Sequence, residues 1–286
     1  MVETIKYLTQ RVHIMSIEVV VATMHQDDFS KYSEMNLQTD AVFANQTKNN
    51  NKKSGTIGDK TVKMISTDTR GVGINRNIGL MNAQADILLI ADDDMRYVDE
   101  YDQIVQRAFR EVPDADAIIF NIESIGNDMS RRVNQKIKRI HFYNALNYGA
   151  ARIAVKMSVL RRENIWFNTN FGGGTQYSAG EDTLFICDML KRGLKMYTYP
   201  QTIATVDQTT STWFDGYTEK YFFDKGALYK ALSKKYHLLL CVQDILRHSS
   251  TYKSSSVSTK EKFRLMFNGA NAYSELVSYD CFHEIR

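Results

Sequence analysis

Five consecutive apolar residues, Ile87 to Ala91 (ILLIA), run directly into three aspartates, Asp92, Asp93 and Asp94. An uninterrupted apolar run of strand length reads as a strand buried on both faces, which calls for helices on both sides of a mainly parallel sheet. The carboxylates then stand at the strand's C-terminal end, the edge at which open α/β sheets bind ligands. Neighbouring segments keep the alternation going. Ile17 to Ala22 (IEVVVA), Asp40 to Ala44 (DAVFA), Thr61 to Ser66 (TVKMIS) and Ala117 to Phe120 (AIIF) have strand character. A polar, helical stretch is expected between the first two, and Asn49 to Ser54 (NNNKKS) reads as a loop. Ile74, Ile78, Met81 and Ala85 recur at helical spacing, as do Tyr101, Ile104, Val105, Ala108, Phe109 and Val112, with Asp99 placed to cap the second helix. Alternation of strand and helix through residue 121 predicts an α/β fold with helices on both faces of the sheet.

The second half is less regular. Ala150 to Lys156 has strand character, Phe171 to Ala179 is a flexible loop with three consecutive glycines, and Glu181 to Arg192 is a buried helix that Gly193 ends. A strand over Lys195 to Tyr199 follows. From Tyr217 to Ala270, ten Lys or Arg face four Asp or Glu, which marks a basic, mostly helical tail as a candidate separate subdomain. Within it Tyr221, Phe222, Phe223, Leu228 and Tyr229 mix with lysines, a pattern suited to peripheral contact with an anionic membrane or a lipid. Oligomerisation through the same aromatics is the alternative. The division expected is therefore one domain over 1–216, its halves at about 17–121 and about 122–216, followed by the tail over 217–286.

Composition narrows the function classes. With 43% hydrophobic and 24% charged residues the chain is neither disordered nor coiled-coil. A net charge of +3 gives no reason to expect a nucleic-acid partner. Cys187, Cys241 and Cys281 form no CxxC pair and no paired framework, so a reducing compartment is expected. The opening stretch MVETIKYLTQRVHIMS lacks the apolar core of a secretory signal, which points to a cytoplasmic chain, at most peripheral at the inner face of the membrane.

Three constellations carry chemistry. Asp92, Asp93 and Asp94 repel one another unless a cation or several donors sit among them, and clustered hard oxygens suit Mg²⁺ or Mn²⁺ on a diphosphate. The other account of them is a helix cap and two solvated acids. Gly71 to Gly79 (GVGINRNIG) opens the helix that feeds this strand and puts Arg76 in its first turn, in reach of a phosphate or a nucleotide, or simply of solvent. Gly180, Glu181 and Asp182 open the buried helix, where acids cap the dipole or supply a general base for an acceptor hydroxyl. Trp213, Phe214 and Tyr217 offer either a stacking surface for a ring-shaped ligand or packing under the last strand.

Together the stretches GVGINRNIGLMNAQADILLIADDDMRY and GEDTLFICDMLKRGLKMY resemble the donor-binding segment and acceptor-side helix of family 2 glycosyltransferases of the GT-A fold, over roughly residues 17 to 215. The resemblance implies a Rossmann-like central sheet with a helical C-terminal extension, and inverting transfer of a sugar from a nucleotide-sugar, of which a UDP-sugar is the first choice. The acceptor would be a hydroxyl of a glycan or lipid-linked molecule, as in polysaccharide biosynthesis. It assigns Arg76, Asp92 and Asp93 to the nucleotide-sugar and Asp94 to the divalent metal. Asp182 becomes the base, and Glu181 orients the acceptor. Thr23 and Asn45 take the places of the residues that usually meet the nucleotide at the ends of the first two strands. Asp207 stands where a histidine often completes the metal site. The same carboxylates would also serve a metal-dependent nucleotidyltransferase or phosphohydrolase, or a binding module without turnover.

Overall fold

A computed structural model describes residues 14–125, 133–207 and 216–284. Trp213 and Phe214 lie outside them. Along the chain run β1 (Ile17–Met24), α1 (Ser30–Glu34), β2 (Asp40–Gln46), β3 (Asn51–Ile57), β4 (Lys60–Thr67), α2 (Val72–Asn82), β5 (Ile87–Asp92), β6 (Met95–Tyr97) and α3 (Tyr101–Glu111). After these come β7 (Ala117–Ile125), β8 (Lys138–Arg139), α4 (Phe142–Ala145), β9 (Ile153–Lys156), α5 (Met157–Glu163), α6 (Glu181–Lys191) and β10 (Met196–Asp207). Four helices close the chain: α7 (Glu219–Leu232), α8 (His237–Arg247), α9 (Thr259–Glu275) and α10 (Tyr279–Glu284).

Among the described residues ten strands form one sheet, in the order β3-β4-β2-β1-β5-β9-β7-β10-β6, with β8 alongside β10. β4, β2, β1 and β5 are parallel, as are β7 and β10. Side chains alternate across a strand, so Val19, Val21, Phe43 and Leu89 pack on one face with Tyr101, Val105 and Phe109 of α3. Val20, Val42, Leu88 and Ile90 pack on the other with Leu80 of α2 and Phe185, Ile186 and Met189 of α6. The parallel α/β core expected from the alternation is present, with helices on both faces.

Four local expectations are corrected. The polar stretch after β1 holds only the short α1. Asn49 to Ser54 does not form a loop: from Asn51 it is β3, an edge strand paired antiparallel to β4. Asp99 does not cap α3, because its carboxylate accepts from the side-chain amides of Asn36 (2.9 Å) and Gln38 (3.3 Å). The strand expected from Ala150 starts only at Ile153, after a turn of 3₁₀ helix, and β9 lies antiparallel between β5 and β7.

The tail is a helical layer that shares a core with the rest of the chain. Phe223, Ala227 and Leu228 of α7 pack with Phe171, Tyr177 and Leu184, while Phe222 and Tyr229 join Cys241, Ile245, Leu265 and Met266 in a second cluster. Phe222, Phe223, Leu228 and Tyr229, expected to face a membrane, are therefore buried. α7 and α9 cross at glycines: a Cβ on Gly226 would lie 1.9 Å from the Met266 carbonyl oxygen, and one on Gly269 1.9 Å from that of Phe223. No helix among the described residues is long and apolar enough to cross a membrane.

Candidate active site

Parallel register brings the sequence-predicted residues to one edge of the sheet. Thr23 is level with Asn45 across β1 and β2, and Asp92 is level with Ala22 across β1 and β5. The Thr23 hydroxyl donates to Asp93 over 2.5 Å, and Asn75 of α2 donates to the Thr23 carbonyl over 3.1 Å. Asn45 is fully buried. Its amide accepts from the Gln26 backbone (3.0 Å) and donates to the Gln26 carbonyl (2.8 Å) and the Ser66 hydroxyl (3.0 Å), so it fixes the chain where β1 ends.

Asp94 and Asp207 face each other across the sheet edge. β6 runs antiparallel to β10 with Met95 opposite Val206, and the Asp207 N–H donates to the Asp94 carbonyl over 3.3 Å. Both residues are exposed. Among the described residues no group of three or more His, Cys, Asp or Glu is disposed to hold a metal by itself. Paired acidic residues have the hard-oxygen chemistry that would suit a Mg²⁺ or Mn²⁺ ion completed by phosphate oxygens and water.

Arg76 is the centre of the site's electrostatics. Its side chain is only 4% exposed, yet one terminal nitrogen donates to Asp92 over 2.8 Å and the other to Asp182 over 2.6 Å and Glu181 over 3.3 Å. Phe167 lies against the guanidinium, with the ring centroid 5.2 Å away. Burial opposes the charge, but the three carboxylates outweigh it and raise the affinity of Arg76 for its proton. A direct nucleotide contact by Arg76, which the resemblance implies, would require at least one of these carboxylates to give way.

The two acids at the start of α6 are held differently. Asp182 accepts from Arg76 at one oxygen and from the Ala150 backbone N–H over 2.9 Å at the other. Glu181 is more deeply buried, and that burial, reinforced by Asp182 and opposed by Arg76, pushes its carboxyl up to about 7. The glycine loop before them is packed, against the expected flexibility. Gly172 has φ +103°, and a Cβ there would lie 2.5 Å from Val72 and 2.8 Å from the Glu181 carboxyl carbon. Val72 also donates its N–H to the Gly173 carbonyl over 3.1 Å, docking the loop on the start of α2.

The far end of the same loop is anchored to the tail. Asp224 of α7 accepts from the Ser178 backbone (2.9 Å) and hydroxyl (2.6 Å) and pairs with Lys220 (2.5 Å). Tyr217, considered for sugar stacking, packs edge-on against Tyr221 and Tyr252. Phe167, the Ala150 N–H and Asp224 belong to the site's surroundings and were not singled out from sequence. An isolated Phe, a backbone amide and an acid inside a basic segment carry no spacing signal.

A model of the family described as glycosyl transferase family 2 matches residues 45–167, a span that holds Asn45, Arg76, Asp92, Asp93 and Asp94. No curated protein matches the chain. Among solved structures, residues 1–349 of S. aureus TarS in complex with UDP-GlcNAc align at TM-score 0.64 and 13% identity, covering 93% of this chain and 83% of that one. A further TarS structure aligns at TM-score 0.60 and 13% identity, covering 93% of this chain and 50% of that one. The complex of TarS 1–349 with UDP aligns at TM-score 0.58 and 12% identity, over 92% and 83% of the two chains. These matches bear out the fold read in the sequence, GT-A with a helical C-terminal part, and the family 2 model agrees with the resemblance over the residues it matches.

Proposed function

We propose that the chain transfers a sugar from a nucleotide-sugar, most simply a UDP-sugar, to a hydroxyl of a glycan or lipid-linked acceptor with inversion at the anomeric carbon. The observation that carries this reading is the convergence of the Asp92–Asp94 edge and the Glu181–Asp182 pair on Arg76. It joins a diphosphate-compatible carboxylate cluster to a pair of acids able to take a proton. A UDP-GlcNAc complex of TarS with this fold adds support for the donor class.

In this reading Thr23 and Asp93 form the floor beneath the nucleotide, and Asn45 shapes the turn against which the base lies. Asp94 and Asp207 would hold Mg²⁺ or Mn²⁺, which when bound neutralises the departing diphosphate. Asp182 takes the acceptor's proton while the Arg76 and Ala150 donors fix its direction, and Glu181 orients the acceptor beside it. Single displacement with one base gives inversion, since attack and departure lie on opposite faces of the anomeric carbon.

The decisive experiment pairs a thermal-shift panel of nucleotide-sugars, with and without Mn²⁺, with product analysis of any donor that binds. Nucleoside diphosphate released together with a glycosylated acceptor supports the assignment. Release of a nucleoside monophosphate, or nucleotide joined to a new phosphate, would instead indicate phosphohydrolase or nucleotidyl chemistry.

A further inference from the structure

α8 is apolar on two opposite faces. Cys241 and Ile245 are buried against α7 and α9, yet Leu238, Leu239, Val242 and Leu246 share the other side of the helix and stay exposed, Leu239 to 62% and Leu246 to 68%. Surface leucines occur singly in many proteins, but four on one face of an 11-residue helix form a contiguous patch that calls for a partner.

The charges around the patch select that partner. Between Lys225 and Lys260 there is one acid, Asp244, and it is buried, accepting from the hydroxyls of Tyr229 and Tyr252 at 2.6 Å each. Lys234, Lys235, Arg247 and Lys253 are exposed in the same stretch, so the ionised groups it presents to its surroundings are positive. Tyr236, 54% exposed, sits at the helix start with Lys235 over its ring. A second copy would bring this surface against itself across a two-fold axis and set lysine against lysine. An anionic bilayer receives the leucines in its acyl boundary and the lysines and tyrosine at its headgroups.

We propose that α8 is a membrane-docking helix for an anionic lipid surface, its leucine face inserted and Lys234, Lys235 and Arg247 at the phosphates. α7 links this face to the loop preceding Glu181 through Asp224 and Ser178. Docking would therefore hold the acceptor side of the enzyme near the bilayer. The proposal stands on the tail alone and does not depend on the identity of the donor.

Flotation of the full chain with phosphatidylcholine vesicles, with and without about 30% phosphatidylglycerol, tests it. The chain should float with the anionic vesicles only, and release as salt is raised from about 0.1 M to about 0.5 M. Leu239→Glu combined with Leu246→Glu, and separately Lys234→Glu combined with Lys235→Glu, should each lower the bound fraction at least about tenfold. The lysine pair lies outside the packed core, so it reads the surface even where the leucine variant loses its fold. Unchanged flotation of the lysine variant, or equal flotation on pure phosphatidylcholine, overturns the proposal. So does a chain that ignores vesicles and instead forms a dimer that Leu239→Glu dissociates.

Discussion

The Arg76 guanidinium donates to the Asp182 carboxylate over 2.6 Å from a position nearly closed to solvent. Removing a buried partner of this kind leaves its counter-charges stranded, which costs about 3–5 kcal/mol. Arg76→Met should lower unfolding stability by that order in urea titrations at pH 7. Arg76→Lys keeps the charge without the planar fork that reaches Asp92 and Asp182 together, so it should fold and turn over at least about tenfold more slowly. Wild-type stability in Arg76→Met would show that the three acids have other compensation.

Asp182→Asn preserves size and can still accept from Ala150, but it cannot take a proton. Turnover should fall by roughly two to four orders of magnitude with donor affinity nearly unchanged. Steady-state kinetics beside calorimetric donor binding separates the two. A variant with near-normal turnover, or a product that keeps the donor's anomeric configuration, removes Asp182 from the role of base.

Glu181 titrates near neutrality because burial holds its carboxyl up to about 7. Its folded value lies above the unfolded one, so its contribution to stability is complete below about pH 4.3 and is lost as pH rises to about 7. Loss of that proton leaves Glu181 a carboxylate that can only accept, the form in which it would orient an acceptor hydroxyl. Turnover should therefore rise through about pH 7, and Glu181→Gln should abolish this limb and flatten the fall in stability over the same window. A limb near pH 7 that survives in Glu181→Gln assigns it to another group.

The backbones of Asp94 and Asp207 pair at the end of β10, and both residues are exposed. Asp94→Ala should eliminate Mn²⁺-dependent binding of UDP, and Asp207→Ala should weaken it by at least about tenfold, the usual loss when a ligand or its support is removed from a metal site. Metal-independent UDP binding of equal strength in wild type and Asp94→Ala would refute the site.

How far the sequence reaches depends on what each residue is asked to reveal. ILLIA announced β5 because a strand buried on both faces needs an unbroken apolar run. Glu181 and Asp182 were legible because acids favour a helix start, and Arg76 because it stands in the glycine-flanked helix that feeds the aspartate strand. β3 was hidden because an edge strand with solvent on most sides needs no apolar alternation, and NNNKKS has none. The antiparallel placement of β9 left no trace, since strand direction is set by the path of the chain and not by its composition. In the tail, residue type misled: Phe222 and Phe223 are buried while Leu239 and Leu246 are exposed, and only the packing of α7 on α9 decides which apolar residues remain outside.

The backbone crossing of α7 and α9 at Gly226 and Gly269 leaves no room for either helix to slide or to gain a side chain at the contact. α7 in turn pins Ser178, two residues ahead of the Gly180 that opens α6. The two helices and the loop from Phe171 to Gly180 thus form one exchangeable cassette. A chimera that borrows α7 from another protein without its matched α9 and loop would misplace the acids of α6, whereas a graft of all three together keeps these contacts.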